Sequence, residues 1–196
     1  MLGLAACGPL GAPPPARPLS PEAQAAAAEK LARGFADVCL TAADAAAATR
    51  ALQAQGWPMF GTVWSGPQSV FFAAKPSAAS PAGLFVIGAP RWNGTPAYQL
   101  TCVGHYPAES SDAARQAMER RWGPSQPGSQ TYPGSRSWSF RLRPGATDLE
   151  PAAGGLPQTP AIAALAPGEA LIYGQVYYNG PLHDVASLVA VYRRPR

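Results

Sequence analysis

Charge is scarce in this chain. Asp, Glu, Lys and Arg together make up 13% of its 196 residues, about half of the usual roughly 25%. Lysine is nearly missing: 13 Arg stand against 2 Lys. Alanine, Gly and Pro fill the space, a bias that GC-rich codon usage produces. Long apolar runs are missing too. No stretch approaches the roughly 18 residues that span a bilayer as a helix, so the low charge does not imply a membrane-spanning chain. Only two His occur, which excludes a His-rich metal site. The three Cys, at positions 7, 39 and 102, lack the close spacing of zinc ligands. Walker A, Gly-x-Gly-x-x-Gly and Gly-x-Ser-x-Gly motifs are absent, and spacing singles out no pair of acids for glycoside hydrolysis. No cofactor is expected.

The net charge is +4 with a pI near 9.2. The arginines are scattered, densest at Arg120-Arg121 and at Arg193-Arg194-Pro195-Arg196. No groove-reading motif or aromatic-basic strand pattern accompanies them, so nucleic acid is not an expected partner.

The opening residues carry more information. Leu4-Ala5-Ala6-Cys7 places an apolar residue and two small ones before a cysteine. This resembles the lipobox of bacterial lipoproteins, whose cysteine becomes the acylated N-terminus after cleavage. The resemblance covers only these residues. It implies lipidation at Cys7, a membrane partner reached through that lipid, and a place in the bacterial cell envelope on the periplasmic side. Six residues precede Cys7 and none is Lys or Arg, so the expectation is a truncated signal. Residues 8–18 are Pro-rich and suit a tether. With Cys7 assigned to lipid, Cys39 and Cys102 remain to form a disulfide, which an oxidising envelope permits.

Along the rest of the chain, Ser20-Pro21-Glu22 reads as a helix start, with Leu31, Phe35 and Val38 on one face of a helix reaching about Val38. Thr41-Ala42-Ala43-Asp44 resembles a capping box for a second helix, ending at Gly56. Strands are expected at Trp57–Trp64, Ser69–Ala74, Leu84–Ala89 and Tyr98–Tyr106. A third helix follows from Ser110 or Ser111 to Trp122, then short strands at Ser129–Tyr132 and Ser137–Leu142. Residues 144–168 read as a long surface loop with one helical turn near Ile162–Leu165; such loops are often functional. Glu169–Tyr178 and Asp184–Tyr192 form a terminal hairpin around Asn179-Gly180.

The fold class is therefore α+β: a largely antiparallel sheet with an N-terminal helical hairpin and one further helix packed on one face. Residues 1–19 are signal and tether, and residues 20–196 are one domain.

The residues that carry chemistry are few. In a strand, Cys102 lies with Leu100 and Tyr106, and His105 with Thr101 and Val103, so no imidazole reaches the thiol. His183-Asp184, with a serine such as Ser187, is a loop pair rather than a triad, because adjacent strand residues point apart. Trp57, Trp64, Trp92, Trp122 and Trp138 serve core and sheet packing, their other use being an aromatic groove. Trp92 is the exception, in a loop beside Arg91. Tyr177 and Tyr178, with Tyr192, form a candidate ladder on the terminal hairpin. The candidate binding surface is thus Arg91, Trp92, His105, Tyr177, Tyr178 and His183. The leading expectation is a non-enzymatic domain that binds an envelope protein or cell-wall component. The alternatives are a hydrolase using His105 or His183 as base, and a small-ligand binder with an apolar pocket between helices and sheet.

Overall fold

The computed structural model describes residues 19–57, 59–66, 69–74, 83–89, 94–95, 97–107, 111–128, 134–179 and 184–195. Cys7, Arg91, Trp92, His183 and the strand expected at Ser129–Tyr132 lie outside them.

Helix α1 (Pro21–Arg33) begins as its sequence dictates. Ser20 Oγ accepts the Ala23 N–H at 3.2 Å, and Pro21 takes the first turn, where its missing donor costs nothing. The continuation to Val38 is helical but not α. From Gly34 to Cys39 the chain forms a π turn, and the Leu40 N–H reaches back to Phe35 O at 3.2 Å. A π turn is underwound relative to an α turn. It brings Cys39 round towards the side of Leu31 and Phe35, and all three are fully buried.

The π turn also changes the next cap. Thr41 is the trailing end of the first helix, and its hydroxyl donates to Asp37 O at 2.7 Å. Asp44, in extended backbone, caps α2 (Ala45–Ala54) instead, its Oδ1 accepting the Ala47 N–H at 2.7 Å. The hydroxyl of Tyr98, from the sheet, accepts the Ala45 N–H at 2.8 Å. At the other end Gly56 has φ +78°. Its N–H bonds Gln53 O, and the Trp57 N–H bonds Leu52 O, a Schellman closure that a left-handed glycine permits.

Among the described residues nine strands form one antiparallel sheet. They are β1 (Met59–Gly66), β2 (Ser69–Ala74), β3 (Gly83–Ala89), β4 (Tyr98–Pro107), β5 (Gln126–Pro127), β6 (Arg136–Leu142), β7 (Glu150–Pro151), β8 (Ala170–Asn179) and β9 (Asp184–Arg193). The order is β1-β2-β3-β4-β9-β8-β6-β5, with β7 also on β6. The two-residue strands β5 and β7 share the outer edge of β6, at Arg136–Ser137 and Phe140–Arg141. The hairpin of β8 and β9 closes at Asn179↔Asp184, and β9 zips along all of β4, from Tyr98↔Arg193 to Pro107↔Asp184. The end of the chain thus lies in the middle of the sheet.

Helices α1, α2 and α3 (Ser111–Trp122) cover one face. Their buried residues join Leu100, Cys102, Trp138, Phe140, Ile172, Val189 and Val191 in the main core. The Cys39–Cys102 disulfide ties the π turn to β4 with the Cα atoms 6.3 Å apart. The single turn expected inside the long loop, α4 (Thr159–Ala163), lands on the opposite face. There Ile162 and Leu165 pack with Ala97, Leu171, Ala190 and Tyr192.

Candidate functional site

The end of α3 places two arginines and a tryptophan together. Glu29, from α1, receives Arg120 Nη2 at 3.2 Å and Arg121 Nη2 at 3.0 Å. Burial alone pushes the Glu29 carboxyl up, but hydrogen bonds from the two guanidiniums outweigh it and hold the group below the usual carboxylate range. The next residue, Trp122, sits edge-on to Trp138 and to Phe140, with centroids 5.9 and 6.0 Å away. Trp138 is fixed in turn, because its indole N–H donates to Gly123 O at 2.9 Å.

Trp122 and Phe140 form the floor of an open cleft of about 830 Å³. Small-molecule sites commonly occupy roughly 300–1,000 Å³. One wall is Leu40 and Thr41, directly after the π turn. Arg193 holds this wall from β9, donating to Leu40 O at 2.5 Å and Ala42 O at 3.3 Å. The other wall is Ala146, Thr147, Asp148 and Leu149, with Leu142 at its base. That loop is pinned: Ala146 N–H donates to Arg143 O at 3.1 Å, Arg143 Nε meets Glu150 Oε2 at 3.1 Å, and β7 pairs with β6. A smaller depression of about 540 Å³ lies beside Trp57, where Lys30 Nζ stands 4.5 Å over the indole.

Of the candidate binding surface, the described residues His105, Tyr177 and Tyr178 fall outside the cleft. Cys39 and Cys102 are bonded to each other. His105 is half-buried and faces away from α1–α3. Its cross-strand partners are Gly83 and Ala186, neither of which carries an acid or a hydroxyl, while Ser187 pairs with Gly104. Tyr177 shares the row of His105, since both pair with Ala186. Tyr178 belongs to the next row, paired with Val185, and Tyr192 pairs with Leu171 far along the hairpin. The register therefore separates the three tyrosines, and they form no ladder. Trp122 and Trp138 meet, whereas Trp57 is buried at the end of α2.

Sequence reasoning missed most of the cleft. Two signals pointed to it: the Arg120-Arg121-Trp122 cluster at a helix end, and the long loop from residue 144, whose first residues build a wall. Among the described residues no helix is long and apolar enough to cross a membrane, and no three His, Cys, Asp or Glu cluster as metal ligands. No family model, curated protein or solved structure matches the chain.

Proposed function

We propose that this chain is an exported binding domain, tethered to a bacterial envelope membrane through Cys7, whose ligand site is the cleft between the end of α3, β6 and residues 146–149. The observation that carries the binding reading is the cleft itself. Its floor belongs to an interlocked aromatic cluster, its walls are held by Arg193 and by the β6–β7 pairing, and its lining is mostly apolar with Arg121 and Asp148 among it. A preformed apolar cleft with few polar groups is the usual form of a small-ligand site. It stands where the end of α3 meets β6.

The tether reading draws on Leu4-Ala5-Ala6-Cys7 and the Pro-rich residues 8–18. The buried disulfide supports an oxidising compartment. Two experiments test the two parts. Growth with an alkynyl fatty acid should label the wild-type protein in envelope fractions and leave Cys7→Ser unlabelled; equal labelling of both, or of neither, contradicts the anchor. An organic extract of the envelope should raise the melting temperature of the wild type and not of Thr147→Trp, which fills the cleft from an exposed position. No shift with any fraction contradicts the binding site.

A further inference from the structure

We infer that the cleft selects an amphiphilic monoanion: an aliphatic or aromatic body on Trp122, Phe140, Leu142 and Leu149, with a carboxylate head directed to Arg121. This rests on the cleft being a ligand site, and adds the chemical class of the ligand.

The charge arrangement sets the head group. Glu29 is the single carboxylate between Arg120 and Arg121, so one positive charge of that trio is unmatched. Arg121 spends its Nη2 on Glu29, but its Nε is buried without a partner. A guanidinium gains a stronger, doubly charged hydrogen bond from an incoming carboxylate than from a neutral hydroxyl. Its side chain is 26% exposed and lines the cleft, so a ligand meets the exposed part of the guanidinium rather than the buried Nε. Asp148, on the facing loop, limits the charge of the ligand. A dianion such as a phosphate monoester meets more repulsion there than a carboxylate does.

The apolar lining sets the body. Leu40, Trp122, Phe140, Leu142 and Leu149 outnumber the polar lining residues. Among the described residues that line the cleft, Arg121 alone offers a cationic group, so these residues anchor the ligand by charge at one end.

Calorimetric titration of the full chain with decanoate, decanol and decyl phosphate tests this. Wild type, Thr147→Trp, Arg121→Gln and Arg121→Lys are compared, each checked for a native melting transition. Decanoate should bind about tenfold more tightly than decanol or decyl phosphate, the scale of one charge-assisted hydrogen bond. Arg121→Gln should erase that preference and Arg121→Lys should keep part of it. If decanol and decanoate bind alike and Thr147→Trp blocks both, the ligand class is wrong while the cleft remains a site. If decyl phosphate binds most tightly, the role given to Asp148 is wrong and the monoanion falls. If none of the probes binds, or Thr147→Trp leaves binding intact, the site and the ligand class fall together.

Discussion

The indole of Trp122 lies directly against the backbone of Gly174. A Cβ on residue 174 would stand 2.4 Å from Trp122 Cζ3, well inside contact distance. The missing side chain on β8 is therefore what lets the last turn of α3 settle on the sheet and supply the cleft floor. Gly174→Ala should cost about 1–3 kcal/mol, the usual scale of overpacking, and should shift tryptophan fluorescence. Urea denaturation checks the first and emission spectra the second. A loss below about 0.5 kcal/mol with an unchanged spectrum would mean that the indole does not depend on this notch.

The disulfide joins residues 63 positions apart. On the chain-entropy account, closing a loop of that length stabilises the fold by about 4 kcal/mol. Cys39→Ala/Cys102→Ala should lose most of that, measured by denaturation against the oxidised wild type. A difference under about 1 kcal/mol would show that packing in the π turn, rather than the cross-link, holds this region.

Asp44, not Thr41, caps α2. Asp44→Ala should cost about 1 kcal/mol, and Thr41→Ala should cost less, because its hydroxyl serves only the carbonyls of Asp37 and Val38. Thermal melts of the two variants decide it; a larger loss for Thr41→Ala would restore the capping box that the sequence suggested.

Tyr192 is 2% exposed. Burial, with a smaller push from Tyr173, raises its phenol to about 12 from the ordinary 10. The folded protein therefore holds this proton more tightly than the unfolded chain does. The resulting stability is complete below pH 10 and is lost as pH rises to about 12, a change of about 3 kcal/mol. Tyr98 and Tyr173 are raised in the same direction. Tyr192→Phe should show a shallower alkaline loss, and an identical profile in the variant would contradict the burial argument.

Local signals were legible where the chemistry is local. Ser20 and Pro21 start α1, Gly56 ends α2, and the terminal hairpin pairs across residues 179 and 184. The disulfide followed from an odd cysteine count. The π turn was hidden, because Leu31, Phe35 and Val38 fit an α-helical face equally well. The strands at Gln126–Pro127 and Glu150–Pro151 were hidden too, since two residues carry no periodicity. The side of the sheet taken by α4 depends on strand register, which pairs β9 with β4 across the whole middle of the chain. The cleft assembles residues 40–41, 121–122, 140–142 and 146–149, and no local pattern announces that meeting.

The cleft is proposed to take a small ligand with an apolar body and a carboxylate head. Amide and indole NMR shifts of the labelled full chain, titrated with a mixture of decanoate and decanol, test it most directly. The largest changes are expected at the Trp122 indole, at Leu40 and Thr41, and from Ala146 to Leu149. Largest changes elsewhere, such as around Trp57 or along the His105 face, or no changes at all, would contradict it.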